Sequence, residues 1–303
     1  MIVQLPIVCT DRMKPLQKLC LEKSNALWFS NFDDRPGRLF EGLEHIRATI
    51  LISESSIQKK TPHELFTTKY NRWYSEQRDY LFQQLEFTNI SGYTTEGSIP
   101  KVGSNLSLSI INKIKTNTQL GKSLVRIGGH PAFFHNAPQY WVRATNFAPY
   151  FWNERDGEQI STQVKKLFFS TEQNALSAIA VLNSSLFYWW FILLSDCRHL
   201  NLREIEFFPL DMTKLSNSLK EELSDYSIKL NLDFRKNSKR KNTVYKTTGR
   251  VSYDEFFPKY SKFIIDEIDR LLAKHYEFSD EELDFIINYD FKYRMGASAE
   301  ETD

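Results

Sequence analysis

The first 55 residues alternate short apolar runs with one amphipathic segment. Residues 2–8, 26–29 and 48–52 are nearly continuous apolar runs, and residues 12–21 carry apolar side chains at helical spacing. Buried strands that alternate with a helix are typical of a sheet covered on both faces. This segment is too short to bury a core alone, and an unpaired apolar first strand invites association. We therefore expect it to complete the sheet of another segment or chain.

The middle of the chain changes from helical to strand-like patterning and back. A helix is predicted at 106–115, and the many aromatic and β-branched residues of 122–170, interrupted by glycine and proline turns, predict short antiparallel strands. A helix follows at 172–194 with Thr171 as N-cap, and a strand is predicted at 205–210. The apolar part of that helix is shorter than the roughly 20 residues of a membrane span, so we predict a buried helix and no membrane partner.

The last third of the chain is predominantly helical in pattern. An amphipathic helix is predicted at 212–234, and residues 235–250 contain seven basic residues and no acidic one, which predicts a basic loop or linker. Helices are predicted again at 254–275 and from Ser279, which forms a capping box with Glu282.

Composition narrows the class of protein. The formal net charge is +1, but residues 251–303 carry −8, which leaves +9 on the rest and indicates one surface suited to a polyanion. The three cysteines form no CxxC pair, and the six histidines show no metal-ligand spacing. We therefore expect a cytoplasmic protein without disulfides or a metal site.

Three stretches resemble one family. They are Trp28-Phe-Ser-Asn-Phe-Asp-Asp-Arg-Pro-Gly-Arg-Leu-Phe-Glu-Gly-Leu-Glu-His-Ile-Arg-Ala-Thr-Ile, then Leu182-Asn-Ser-Ser-Leu-Phe-Tyr-Trp-Trp-Phe with Ser195-Asp-Cys-Arg-His-Leu-Asn, and finally Glu282-Leu-Asp-Phe-Ile-Ile-Asn-Tyr-Asp-Phe-Lys-Tyr-Arg-Met-Gly. All three resemble the carboxyl-terminal half of the adenine-N6 DNA methyltransferases of bacterial restriction–modification systems, particularly the type IIG-like group. The resemblance extends over almost the whole chain.

The resemblance implies a mixed α/β fold in three parts. It implies the end of a Rossmann-like methyltransferase sheet at 1–55, an α+β DNA target-recognition domain at 56–211, and a helical region at 212–303 that contains the basic linker 235–250. In the family, a strand, a helix and two strands follow the catalytic motif, and residues 1–53 match them.

The same family binds S-adenosylmethionine through a glycine-containing loop and holds the flipped adenine with an Asn/Asp-Pro-Pro-Tyr/Phe motif. No two prolines are adjacent in this chain, and its only glycine pair, Gly128-Gly129, follows no strand that leads into a helix. We expect no catalytic residue and no bound cofactor here. The complete enzyme would bind S-adenosylmethionine through an upstream segment or a companion chain, and whether this chain is part of an active enzyme stays open.

The resemblance also suggests where DNA would be contacted. Phe40 corresponds to an aromatic residue that stacks on the flipped base, although it could instead pack with Leu39 and Leu43. Arginine suits guanine and asparagine suits adenine in the major groove, and lysine suits phosphate. The candidate DNA-binding residues are Arg35, Arg38, His135, Tyr140, Arg143, Asn146, Lys165, Lys166, Arg198, His199, Lys239, Arg240 and Lys241.

Two patterns suggest a catalytic or metal site, but we favour a non-functional explanation for each. The adjacent Asp33 and Asp34 could bind a metal ion but are expected to be solvated turn residues. A nucleophilic Cys197–His199 pair would need a base at hydrogen-bond distance from the thiol and a third orienting group, and two residues so close on one turn are poor evidence for such a site. The expected function is the DNA-recognition half of an adenine-specific methyltransferase that binds double-stranded DNA. A truncated, inactive relic and an RNA-binding module remain as alternatives.

Overall fold

The protein is a mixed α/β chain that divides into two compact units. The computed structural model describes residues 1–42, 45–55, 64–93, 98–115, 118–126 and 128–296. One unit comprises 1–112 with 191–197, and the other comprises 113–190 with 198–303. The α/β class predicted from the sequence is confirmed, while the predicted boundaries at 55 and 211 stay predictions.

The first unit contains a five-stranded sheet. Its strands and helices are β1 (Ile2–Gln4), α1 (Lys14–Lys23), β2 (Ala26–Phe32), β3 (Ala48–Glu54), β4 (Glu64–Asn71), β5 (Thr88–Asn89) and the start of α2 (Asn105–Ile114). The strand order is β1-β3-β2-β4-β5. The β2–β4 pair is parallel, and the other pairs are antiparallel. The parallel pair places the ends of β2 and β4 side by side.

The strand predicted at 2–8 is shorter than expected. It ends at Gln4, and Leu5–Val8 form a single 3₁₀ turn that buries Leu5 and Val8 completely. Pro6 has no backbone N–H and a fixed φ, which favours the first turn of a helix over a continued strand. The predicted helix at 12–21, the strands at 26 and 48 and the helix at 106–115 are confirmed.

The second unit carries two antiparallel sheets. Its first strands are β6 (His130–His135), β7 (Ala144–Thr145), β8 (Phe151–Asn153), β9 (Gly157–Glu158) and β10 (Val164–Phe169). They confirm the short antiparallel strands predicted for 122–170. One sheet has the order β10-β6-β7 and the other β11-β12-β8-β9, where β11 is Lys239–Tyr245 and β12 is Gly249–Glu255.

Helices fill the rest of the chain from Glu172 onwards. They are α3 (Glu172–Asn183), α4 (Ser185–Leu194), α5 (Leu202–Glu206), α6 (Asn217–Asn237), α7 (Lys262–His275), α8 (Asp280–Ile287) and α9 (Phe291–Arg294). The two predicted caps are confirmed: Thr171 Oγ1 accepts from the backbone of Asn174, and Ser279 and Glu282 form the reciprocal capping box.

The single helix predicted at 172–194 is two helices that bend by 67° at Ser184. The Ser184 hydroxyl donates to the carbonyl of Val181 at 2.6 Å and accepts from the N–H of Phe187 at 3.0 Å, so one side chain both ends α3 and caps α4. Every residue of α4 is buried. Within the described part of the chain, no single helix is long and apolar enough to cross a membrane.

Two other predictions were wrong. Residues 205–210 are not a strand, because Asn201 and Glu204 form a capping box that begins α5. Residues 235–250 are not a loop: α6 continues to Asn237, and the following residues form the β11–β12 hairpin. The basic side chains of this hairpin are held on its surface by acidic and aromatic neighbours, which a count of like charges along the sequence cannot show.

Candidate functional site

In the first unit, a cluster of charged residues lies where β2 and β4 end. Asp33 and Asp34 follow β2 directly, and both are buried. The carboxylate of Asp33 accepts a hydrogen bond of 2.7 Å from Nε of Arg72, which follows β4. Nε of Arg47 lies 3.4 Å from Asp33 Oδ1 and 3.3 Å from Asp34 Oδ1. The expectation that the two aspartates are solvated turn residues is therefore wrong.

The cluster is balanced by its own charges. Burial alone would raise the pKa of Asp33, but Arg72 and Arg47 outweigh it and hold that pKa below its usual value. Arg47 also donates to the hydroxyl of the fully buried Tyr70 at 2.8 Å. No group of three or more potential metal ligands occurs in the described residues. The arrangement orders the chain at the end of the parallel strands and keeps the Asp33 carboxylate ionised.

The loop beyond this cluster carries three of the predicted DNA contacts. Arg35 and Arg38 are exposed, and a guanidinium nitrogen of Arg35 lies 3.2 Å from Nδ1 of His45. Phe40 is partly exposed, whereas Leu39 packs against a core cluster that includes Trp73. Residue 43, the other proposed neighbour of Phe40, lies outside the described residues. The stacking and phosphate contacts stay predictions.

In the second unit, a cleft of about 550 Å³ lies beside the four-stranded sheet. Its residues come from five separate parts of the chain: the end of β6, the residue before β7, the residues around β8, the turn that leads into β10, and the β11–β12 hairpin with the residue after it. The lining residues are His135, Arg143, Pro149, Tyr150, Phe151, Ser161, Thr162, Gln163, Val164, Tyr245, Thr248, Val251, Tyr253, Asp254, Glu255 and Phe256.

Two predicted DNA contacts, His135 and Arg143, meet in this cleft. The backbone N–H of His135 donates to the backbone carbonyl of Arg143 at 3.0 Å, so the two residues are neighbours. The guanidinium of Arg143 lies over the ring of Phe256, 4.6 Å from its centroid. Nε2 of His135 lies 2.9 Å from Oε1 of Gln163. The sequence had placed both residues near the same turn but gave no indication of the wall formed by β12.

The cleft lowers the pKa of both residues. Burial, together with the charge of Arg143, lowers the pKa of His135 to about 4, so this imidazole is neutral at pH 7. Burial lowers the pKa of Arg143 to about 10, which still leaves the guanidinium protonated at pH 7. Among the described residues, no carboxylate pairs with Arg143. The His135–Arg143 pair therefore presents one cation and a neutral imidazole.

The remaining candidates of this unit are dispersed. Tyr140 is partly buried, and its carbonyl accepts from Nε of Arg294 at 3.2 Å. Asn146 is exposed while its backbone N–H donates to the side chain of Asn231. The other candidates, none of which lines the cleft, are exposed on β10 or on the turn after α4: Lys165, Lys166, Arg198 and His199.

The basic residues of β11 are partly neutralised by β12. Nε of Arg240 lies 2.5 Å from Oδ1 of Asp254, and its guanidinium stacks on Tyr150 at 3.6 Å from the ring centroid. Nζ of Lys241 lies 3.3 Å from Oε1 of Glu255. Lys239 lies near the ring of Phe257 instead. This pairing reduces the number of β11 charges that could contact phosphate.

Sequence reasoning missed the aromatic walls of the cleft. Tyr150, Tyr253 and Phe256 were part of the high aromatic content but were not singled out, since their proximity depends on the pairing of β8 with β12, about a hundred residues later in the chain. No protein-family model matches the sequence, and no curated protein matches it either.

Proposed function

We propose that this chain is the DNA-recognition half of an adenine-N6 DNA methyltransferase of a restriction–modification system. The observation that carries the proposal is Arg143. Its half-buried guanidinium packs against Phe256 and has no carboxylate partner among the described residues, so acceptors supplied by a ligand would stabilise it. Nucleic acids offer such acceptors as base edges and phosphates.

The first unit supports the proposal in a second way. The resemblance implies a strand, a helix and two further strands at the end of the methyltransferase sheet. The chain begins with β1, α1, β2 and β3 in that order, and α1 connects two strands that both pair with β3. In this proposal the buried aspartate cluster supports the loop that carries Phe40.

In this proposal the connection from β1 to α1 is not a binding loop for S-adenosylmethionine. The connection from β1 to α1, residues 5–13, contains no glycine, and the turn at its start is closed by buried aliphatic side chains. A cofactor phosphate or carboxylate needs close approach to backbone N–H groups, which glycine permits. In this proposal the cofactor belongs to an upstream segment or a companion chain.

The experiment is a binding series on the full chain. Fluorescence anisotropy with a random-sequence DNA duplex should show binding that weakens with salt, with a log–log slope of about −0.9 for each phosphate contact. Selection from the same pool should enrich one short sequence. A calorimetric titration with S-adenosylmethionine should show no saturable heat.

Three results would contradict the proposal. Stronger binding to a duplex or single-stranded RNA pool than to DNA would support an RNA-binding module. No binding to either nucleic acid would support an inactive relic. Saturable binding of S-adenosylmethionine would show that the cofactor site lies in this chain.

A further inference from the structure

The cleft beside the four-stranded sheet has the size of a small-molecule site. Its volume of about 550 Å³ lies within the roughly 300–1,000 Å³ that such sites occupy. The rings of Tyr150, Phe151, Tyr253 and Phe256 line it together with hydroxyl and amide groups of the turn before β10. A mixture of flat apolar walls and a few polar groups suits a planar heterocycle better than an extended chain.

Arg143 supplies the charged donors of the cleft. Its guanidinium offers several N–H groups in a fixed fork, and its contact with Phe256 holds it against one wall. His135, beside it, is held by Gln163 and is neutral at pH 7. A ligand that satisfies the fork needs two acceptors on one edge.

The acidic residues in the cleft argue against an anionic ligand. Asp254 and Glu255 line the same cleft, where each is balanced by one basic residue of β11. A phosphate group would therefore meet a single cation without a carboxylate partner, Arg143, beside two carboxylates that are already paired. A neutral group with acceptors on one edge and donors on another fits this distribution better, because carboxylates accept hydrogen bonds.

We propose that this cleft binds a single guanine base that is not stacked in a duplex, with Arg143 donating to O6 and N7 and the aromatic rings contacting the faces of the base. Among the purines, guanine is the one whose N7 edge carries two adjacent acceptors, whereas adenine pairs its N7 acceptor with an amino donor. The N1 and N2 donors of guanine lie on another edge, and carboxylates can accept hydrogen bonds from such donors. The inference rests on the proposed function where the guanine belongs to DNA, and a free guanine nucleotide is the other source.

The first test is chemical and leaves the protein unchanged. The full chain is titrated with short thymidine oligonucleotides that carry one central guanine, adenine or 7-deazaguanine. We expect guanine to be preferred over adenine by about 5- to 150-fold, the range that a bidentate arginine contact gives. The 7-deaza analogue lacks the N7 acceptor and should lose most of this preference. Equal binding of guanine and 7-deazaguanine would overturn the proposal.

The second test uses variants. Arg143→Gln should abolish the preference for guanine, and Arg143→Lys should lose most of it because the fork is lost while the charge remains. Arg155→Gln is the matched control, since Arg155 is an exposed arginine that does not line the cleft. Circular dichroism checks that each variant is folded. A guanine preference that survives in folded Arg143→Gln would also overturn the proposal.

Three further probes distinguish a guanine in DNA from a free guanine nucleotide. They are guanosine 5′-monophosphate, a duplex with one bulged guanine, and the same duplex fully paired. Tighter binding of the bulged duplex than of the paired one, dependent on Arg143, assigns the site to DNA. Arg143-dependent binding of the mononucleotide without duplex binding keeps the guanine site and removes the proposed function. Duplex binding without any guanine preference keeps the proposed function and removes the guanine site.

Discussion

The buried ion pair of Asp33 and Arg72 allows a quantitative prediction. The two side chains are 5% and 2% exposed, and Nε of Arg72 lies 2.7 Å from the carboxylate. Arg72→Met keeps most of the side-chain volume but leaves Asp33 with Arg47, whose Nε is 3.4 Å away. Removing one partner of a buried pair costs about 3–5 kcal/mol. Since Arg47 remains, we expect a loss near 3 kcal/mol in the free energy of unfolding.

The loss should depend on pH in a defined direction. The pKa of Asp33 is lowered in the folded chain, because its two arginines outweigh the effect of burial. A carboxyl group with a lowered pKa stabilises the fold above its unfolded pKa of about 3.9, and this contribution disappears as the pH falls through the folded pKa. The difference between the wild type and Arg72→Met should therefore be constant near neutral pH and shrink below about pH 4.

The assay is urea unfolding followed by circular dichroism, with hydrogen exchange of β2 and β4 to assign the change to the first unit. Arg12→Met is the matched control, because Arg12 is exposed and lies outside the cluster. The double variant Asp33→Asn/Arg72→Met should recover much of the loss, since no charge then remains unpaired. A loss below about 1 kcal/mol at neutral pH, or one that persists unchanged at acidic pH, would refute this account of the cluster.

Two further predictions concern the second unit. Asp269 is buried and accepts from two backbone N–H groups at the start of α4, and burial raises its pKa to about 6. The free energy of unfolding of the wild type should therefore rise by about 1.4 kcal/mol for each pH unit as the pH falls below 6 towards 4. Urea unfolding should show no such rise for Asp269→Asn. Parallel pH profiles of the two proteins would contradict this prediction. Neutralising Lys239, Arg240 and Lys241 together should reduce the salt slope of duplex DNA binding by about one unit, because two of them already pair with acids of β12. A decrease of three units in filter binding would show that these pairs open on DNA.

The elements that the sequence predicted well are those encoded by neighbouring residues. Thr171 and Ser279 cap their helices through groups three positions away, so both helix starts are visible in the sequence. Ser184 is also a local signal, but an apolar pattern on both sides of it concealed the bend. The strand predicted at 205–210 failed because burial, not strand pairing, explains the apolar side chains of Ile205 and Phe208.

The site depended more on long-range pairing. His135 and Arg143 could be predicted as neighbours because only a short turn separates them. The walls of their cleft could not, since β12 reaches β8 after the intervening helices of the chain. The two aspartates after β2 were misjudged for a similar reason: their arginine partners, Arg47 and Arg72, are distant in the sequence and meet them only at the end of the sheet.

The β11–β12 hairpin has a consequence for how such a chain could change its preference. All but one side chain of β11 are exposed, and the strand lies at one edge of its sheet. Substitutions there disturb little of the core, yet through Tyr245, Tyr253 and Asp254 the same hairpin forms one wall of the cleft. New ligand preferences could therefore arise by mutation of a single surface ribbon while the helical core keeps its sequence. The hairpin is a natural target for directed evolution of the site.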